Sequence, residues 1–194
     1  MTIRTFTESD GEVLKEITIA CFDRGCSIDY RIEDLFGLID RKDWEWRKRR
    51  DIDGEIAANP AGIFVAEVEG CPIGYVTTHV DRATMMGSIP NLAVLPEHRR
   101  KGIARGLINH AVAYLKGEGM RYVRIQTLET NESGRHVYPA CGFREIARQI
   151  HYIMPVDGPP PRIKRDPRDA VAVDAMAAAA DPRIYIRRVE AGRP

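Results

Sequence analysis

The chain contains 194 residues, and its 29 basic and 28 acidic side chains leave a formal net charge of +1. A chain of this length buries one hydrophobic core, and its balanced charge gives no overall field that would attract nucleic acid or an anionic membrane. No apolar run is long enough to span a bilayer, and the first residues lack the apolar core of a signal peptide. We therefore expect a cytoplasmic protein with no nucleic-acid or membrane partner.

The first third of the chain predicts a strand followed by helices. Residues 3–6 form an expected edge strand, and Thr7, Ser9 and Asp10 are candidates to cap the next helix. That helix has apolar residues at helical spacing, namely Val13, Leu14, Ile17 and Cys21. A second helical region runs over residues 32–58, and its expected buried side consists of Leu35, Leu38, Ile39, Trp46, Ile52 and Ile56.

A basic segment and the cysteines of the chain each allow more than one interpretation. The basic and aromatic segment WEWRKRR (residues 44–50) could indicate a nucleic-acid patch, but a helix with one buried tryptophan and a solvated basic face is the favoured interpretation. Cys21 and Cys26 could bridge, although reduced thiols suit a cytoplasmic protein better. The four cysteines and five histidines lack the spacing of a zinc site, so we expect no metal.

The middle of the chain predicts a hairpin, a further strand and a helix. Residues 62–68 and 72–80 are rich in strand-forming residues and flank a Glu-Gly turn. Residues 88–94 predict the next strand. An amphipathic helix follows, ended by two nearby glycines, and its apolar stripe is Ile103, Leu107, Ile108, Ala111, Val112 and Leu115.

The last part of this domain predicts a strand, a short helix and another strand. The strand covers residues 122–128, and the helix covers residues 131–140. Residues 143–154 contain no Gly, Pro or Asn that would turn the chain, so they predict one uninterrupted strand.

The C-terminal part predicts an extension beyond a domain of residues 1–154. Residues 155–168 form a proline-rich linker, and residues 169–194 a helix–strand extension. The strand of this extension, residues 184–189, would complete the sheet or contact a partner in a homodimer. A mobile appendage is the alternative.

The most informative segment is NLAVLPEHRRKGIARG (residues 91–106), which reads as strand, basic turn and helix start. The first amides of a helix lack intrahelical partners and lie at the positive end of its dipole, so they attract anions. Gly102 removes a Cβ where an anion would press on the backbone. A solvated turn is the alternative, but the spacing R-x-x-G-x-A between strand and helix favours a phosphate cradle.

Two motifs make the chain resemble the GNAT superfamily of N-acetyltransferases over residues 2–154. The first is LAV-x-P-x-x-R-R-x-G-x-A at residues 92–104, and the second is N-x₆-Y-x₃-G-F at residues 131–143. The resemblance implies an α/β (α+β) fold, in which about four helices flank a mixed central sheet of six to seven strands. It also implies acetyl-CoA as the co-substrate.

The resemblance implies roles for particular residues. The Val94 amide would face the thioester oxygen, and the Tyr138 hydroxyl would protonate the departing thiolate, although a core aromatic is the ordinary alternative for Tyr138. Asn131 would contact the cofactor near its pantetheine arm. The remaining cofactor-binding residues are Leu92, Ala93 and Val94 along the pantetheine, and Arg99, Arg100, Lys101, Gly102, Ile103, Ala104 and Arg105 around the pyrophosphate.

The proton acceptor is where this chain departs from its apparent relatives. Those that acetylate protein N-termini often carry a glutamate at the position of Gln126, and glutamine cannot act as a base. Glu129 is the candidate in its place, with His79 or a water chain as alternatives.

The sequence as a whole predicts an N-acetyltransferase that moves an acetyl group to a primary amine by direct attack in a ternary complex. The acceptor would be a small molecule or a peptide. Two alternatives stay open: a non-catalytic acyl-CoA-binding regulatory or assembly module, and an acetyltransferase of peptide or protein N-terminal amines.

Overall fold

Seven strands and five α-helices lie along residues 1–158, which the computed structural model describes. Met1–Ile153 form one compact unit. The predicted linker from residue 159 onward, the helix–strand extension and its proposed dimer contact lie outside the described residues and stay predictions. The elements are β1 (Thr2–Thr5), α1 (Gly11–Cys21), α2 (Ile28–Phe36), α3 (Trp44–Ala58), β2 (Phe64–Val68), β3 (Cys71–Val76), β4 (His79–Asp81), β5 (Met86–Ile89), β6 (Leu92–Val94), α4 (Ile103–Gly117), β7 (Tyr122–Ile125) and α5 (Glu132–Ala140).

The strands form two sheets. One is antiparallel with the order β1-β2-β3-β6, and it contains the predicted hairpin as β2 and β3. The other has the order β4-β5-β7, with β4 antiparallel and β7 parallel to β5. The mixed α/β class predicted from the sequence is confirmed.

Two predicted strands are each divided in two by the structure. The prediction for residues 72–80 breaks at Thr77, and that for residues 88–94 breaks at Pro90 and Asn91. The breaks face each other, since the Thr77 amide donates to the Asn91 carbonyl at 3.0 Å and the Asn91 amide donates to Thr77 Oγ1 at 3.1 Å. Pro90 has no amide hydrogen to continue a ladder, so strand pairing changes partner there.

Helices cover both faces of the first sheet. Val94 belongs to a core that includes Leu107 and Leu115 of α4, while its neighbour Ala93 belongs to a core with Leu14 of α1 and Ile52 of α3. Successive side chains of a strand point to opposite faces. The sheet therefore separates an α4 face from an α1–α3 face.

The helical region over residues 32–58 consists of α2 and α3, joined by a turn. Ile52 is fully buried as predicted, but the predictions for Leu38, Ile39 and Trp46 are wrong, since these residues are 58%, 45% and 40% exposed. The Trp46 ring instead carries the Lys42 ammonium 4.5 Å from its centroid. Helical spacing does not persist through the turn, so the apolar stripe of α2 does not continue into α3.

The predicted strand at residues 143–154 is also wrong. These residues have no regular secondary structure, and Ile146 and Tyr152 are 95% and 90% exposed. A strand requires a hydrogen-bonded neighbour, and within residues 1–158 β7 pairs only with β5. Strand-forming composition alone does not supply such a neighbour.

Within residues 1–158, no helix is both long and apolar enough to cross a membrane.

An ion pair anchors the start of α1. The Arg4 guanidinium binds both carboxylate oxygens of Asp10, at 2.7 and 2.8 Å, and Asp10 also accepts hydrogen bonds from the Thr7 amide and hydroxyl. These bonds, led by those from Arg4, lower the pKa of Asp10 from 3.8 to about 2. The charged form of Asp10 is therefore favoured in the folded protein.

We expect Asp10→Asn to lower the free energy of unfolding by about 2 kcal/mol at pH 7. Because the folded-state pKa is depressed, this contribution is complete above about pH 4 and is lost as the pH falls toward 2. Urea denaturation at several pH values measures the difference, with the exposed Glu8→Gln as the control. A difference that does not shrink in acid would contradict the assignment.

Candidate active site between β6 and β7

A wedge opens where the parallel pairing of β5 and β7 ends. The last pair in that ladder is Ile89 with Ile125. Beyond it, the chain of β5 passes through Pro90 into β6, which pairs with β3, whereas residues 126–131 follow a separate course. One edge of β6 is therefore left without a neighbouring strand in the described chain.

The open edge of β6 presents the amides of Leu92 and Val94. The Asn91 carbonyl accepts from Thr77 and the Leu95 amide donates to a β3 carbonyl, so both point toward β3. Backbone groups alternate in direction along an antiparallel strand. The intervening amides therefore point into the wedge, which is the orientation that the predicted oxyanion role of Val94 requires.

The start of α4 differs from the starts of α2, α3 and α5. Ser27, Asp43 and Asn131 cap α2, α3 and α5 by accepting a hydrogen bond from a backbone amide. At the start of α4 stands Gly102, with a φ of +78° and no side-chain cap within the described chain. A Cβ at Gly102 would enter open space. The first amides of α4 are thus available to an anion in front of the helix.

Arg99 is directed to the end of β6. Its Nε donates to the Val94 carbonyl at 3.0 Å. This hydrogen bond holds the carbonyl of Val94, whose amide is the proposed oxyanion donor. It also occupies one nitrogen of the Arg99 guanidinium. The contact predicted between Arg99 and the pyrophosphate stays a prediction. The other basic residues of this segment, Arg100, Lys101 and Arg105, are nearer to Gly102 along the chain.

Tyr138 lies on α5, largely buried beside the wedge. Its ring meets that of Phe143 edge-on, with centroids 6.3 Å apart. Burial raises the pKa of Tyr138 to about 12. The hydroxyl therefore keeps its proton at neutral pH, as a general acid must.

Gly134 and Asn131 have structural roles in α5. Gly134 is required because a Cβ there would lie 2.9 Å from the Asn131 side chain and 3.0 Å from the Tyr138 ring. Asn131 caps α5 by accepting from the Gly134 amide at 3.0 Å, and it donates to Thr127 Oγ1 at 2.8 Å. Asn131 thus fixes the helix that carries Tyr138, and its predicted contact with the cofactor stays a prediction.

The predicted base candidates are poorly placed to accept a proton. The Glu129 carboxylate is engaged in an ion pair with Arg148. His79 is exposed and lines a cavity of about 380 Å³ between α3 and the strands β4 and β5. Among residues 1–158, no three His, Cys, Asp or Glu side chains are grouped in a way that would hold a metal ion.

The same cavity contains a carboxylate that the sequence analysis missed. Glu55 of α3 lines it and accepts a hydrogen bond from the buried Asn91 side chain. A signal was present, since Glu55 lies three residues after Ile52 and next to Ile56 on the buried stripe of its helix. A carboxylate on such a stripe needs a partner or a function.

Known proteins similar to this chain are N-acetyltransferases. A model of the Acetyltransferase (GNAT) family matches residues 29–143. The chain is 29% identical over 150 residues to an uncharacterized N-acetyltransferase of Methanocaldococcus jannaschii, covering 74% of this chain and 61% of that protein. It is 31% identical over 103 residues to a mycothiol acetyltransferase of Tsukamurella paurometabola, covering 48% and 35%. The chain thus spans less than two thirds of either relative.

A solved structure has a similar fold. It is the PaiA N-acetyltransferase from Thermoplasma acidophilum in complex with coenzyme A, with a TM-score of 0.58 at 19% identity, covering 74% of this chain and 89% of that chain. At this identity the likeness concerns the fold alone.

We expect Gly102→Ala to weaken coenzyme A binding by about tenfold or more, because the substitution disfavours the left-handed backbone and places a methyl group in front of α4. Calorimetric titration with coenzyme A measures the change. Gly117→Ala, at the far end of the same helix and also in open space, is the matched control. Equal affinities of the two variants would contradict the assignment of the cradle.

Proposed function

The chain belongs to the Acetyltransferase (GNAT) family, and from this we propose that it is an acetyl-CoA-dependent N-acetyltransferase. It transfers an acetyl group to a primary amine by direct attack in a ternary complex. The observation that carries the proposal is the unpaired edge of β6 directly before α4, a helix that begins without a side-chain cap. The strand edge suits an extended arm that contains amides, and the helix start suits a phosphate.

The residues of the wedge fit acetyl-CoA in both shape and charge. Gly102 leaves open space in front of the α4 amides, and three exposed basic residues, Arg100, Lys101 and Arg105, lie next to it or in the first turn of α4 along the chain. The amides on the open edge of β6 can pair with the pantetheine arm. The residues proposed to hold the donor are Leu92, Ala93, Val94, Arg100, Lys101, Gly102, Ile103, Ala104, Arg105, Asn131 and Tyr138.

The proposed reaction uses the Val94 amide and the Tyr138 hydroxyl. Acetyl-CoA, when bound, supplies the acetyl group as a thioester. The Val94 amide donates a hydrogen bond to the thioester oxygen, and this bond strengthens as negative charge develops there. The amine nitrogen bonds to the acetyl carbon, the carbon–sulfur bond breaks, and Tyr138 gives its proton to the departing sulfur. The nitrogen then releases one proton, which returns through water to the Tyr138 phenolate and restores the tyrosine. The products are an amide and a thiol.

The state of the nearby thiols supports direct transfer. Burial raises the pKa of Cys21, and it raises the pKa of Cys26 to about 11. Both thiols are therefore protonated at neutral pH, and a protonated thiol is a poor nucleophile. This favours attack by the amine itself over an acetyl-cysteine intermediate.

We propose a small-molecule amine as the acceptor. The mycothiol acetyltransferase among the relatives supports this class, and Gln126 stands where acetyltransferases of protein N-termini often have glutamate. A peptide or protein N-terminal amine is the second candidate. A panel of primary amines and short peptides, assayed for thiol release from acetyl-CoA, distinguishes the two.

The alternative of a non-catalytic acyl-CoA-binding module is tested by the same assay. Tight binding of acetyl-CoA with no thiol release for any member of the panel would favour the module. The presence of a buried, protonated tyrosine beside the wedge supports turnover instead.

We expect Tyr138→Phe to lower kcat by about 100-fold or more, since general acid catalysis contributes about that factor. The affinity for coenzyme A should change less than twofold, because the ring packing is retained. Tyr122→Phe, which alters an exposed tyrosine of β7, is the control. Unchanged turnover in Tyr138→Phe would overturn the assignment of the acid.

A further inference from the structure

The cavity between α3 and the strands β4 and β5 extends to Pro90, the residue at which the wedge begins. Pro90, at which β5 passes into β6, lines it from the sheet, and Glu55 lines it from the helix. Asn91 points its side chain to the same side, because its Nδ2 donates to Glu55 Oε1 at 2.5 Å. The cavity therefore opens on the α1–α3 face, opposite to the face that α4 covers.

Two acceptor atoms in this cluster have no partner. Asn91 is 4% exposed and Thr77 is fully buried, and both side chains interact with the Glu55 carboxylate. Since Asn91 uses its amide nitrogen on Glu55, its Oδ1 faces the cluster as an acceptor. Within the described residues, Glu55 Oε2 and Asn91 Oδ1 are buried and make no hydrogen bond. Two buried acceptors on residues that contact each other require a donor.

A protonated amine satisfies this requirement better than other donors. An ammonium group offers several N–H bonds to the two oxygens, and its positive charge offsets that of the carboxylate. Asp51, one helical turn before Glu55, lines the same cavity and adds a second negative charge. Lys48 pairs with Asp51 at 3.6 Å, and its charge also acts on Glu55.

We propose that Glu55, held by Asn91 and Thr77, binds the ammonium group of the acceptor and takes its proton. The proposal rests on the acetyltransferase function proposed above. One N–H bond of the ammonium breaks, the proton moves to Glu55 Oε2, and the neutral nitrogen keeps the electron pair with which it attacks the acetyl carbon. Asn91 lies three residues before Val94, so about 10 Å of extended strand separates the proposed ammonium site from the proposed oxyanion donor.

The surroundings of Glu55 suit a base for an amine. Burial raises its pKa above the usual range, and the charge of Asp51 acts in the same direction, while Thr77, Lys48 and Asn91 lower it. The other ionisable groups near it are Arg50 of α3, Tyr75 of β3 and His79 of β4. A base with a raised pKa accepts a proton from an ammonium group more readily than an ordinary carboxylate does.

The first test compares Glu55→Gln with Asp53→Asn, which alters an exposed carboxylate of the same helix. We expect Glu55→Gln to lower kcat/KM for the best amine of the panel by about 100-fold. Wild-type kcat/KM should rise with pH as Glu55 ionises, and this acidic limb should vanish in the variant. The affinity for coenzyme A should be unchanged in both variants. Normal kcat/KM with an unchanged pH profile in Glu55→Gln would overturn the proposal.

The second test needs no turnover and uses the unaltered protein. With ¹³C-carboxyl-labelled glutamate, the Glu55 resonance is assigned by its loss in Glu55→Gln and then followed during titration with ethylammonium chloride. We expect ethylammonium to shift this resonance and to lower the pKa of Glu55, with sodium chloride as the control. A resonance that ethylammonium leaves in place would overturn the proposal and indicate a buried water at the orphan oxygens.

The two tests separate this proposal from the proposed function. If the protein releases no thiol with any amine, the acetyltransferase function fails, and the ethylammonium titration still decides whether the ammonium site exists. If thiol is released but neither the variant nor the titration responds as expected, only the role of Glu55 fails.

Discussion

The rest of the site depends on the change of strand partner at Pro90 and Asn91. The parallel ladder of β5 and β7 ends at this point because proline offers no amide hydrogen and Asn91 bonds to Thr77 instead. The departure of β6 from β7 creates the wedge and leaves one edge of β6 unpaired. It also sets the direction in which the chain enters α4, so that the uncapped helix start follows the open strand edge. A continuous strand through Pro90 would remove all of these features together.

The sheet also divides the proposed site into two chemically different halves. The α4 face offers backbone amides, a glycine and basic side chains, which match a pyrophosphate. The α1–α3 face offers buried acceptor oxygens on Glu55 and Asn91, which match a cation. Ala93 and Val94 contribute side chains to opposite cores, so a single short strand supports both halves. Charge thus distinguishes the two substrates before any detailed contact is made.

The elements that depend on residues close together in the chain could be predicted from the sequence. The hairpin of β2 and β3, the stripe of α4 and the start of α5 at Asn131 follow from turn residues, helical spacing and caps, although Val112 of that stripe is 36% exposed. The break at Thr77 and Asn91 could not be predicted, because it depends on hydrogen bonds between segments that are 14 residues apart. The link between Glu55 and Asn91 joins residues 36 apart, and the strand expected at residues 143–154 lacks a pairing partner that composition cannot reveal. Long-range pairing thus decided the strand predictions that failed, whereas the failed burial predictions lie in the turn after α2 and in the first turn of α3.

The separation of the two faces has a consequence for how such a protein diversifies. Substitutions on α3 alter the residues around Glu55 without touching the backbone of β6 or the start of α4. The proposed donor site is built largely from main-chain amides and from glycine, whose chemistry does not vary with neighbouring side chains. The proposed acceptor side is built from side chains on a helix, where each position can change by itself. Selection can therefore retune which amine is used while the acetyl donor stays the same, so one scaffold can acquire new acceptors in small steps.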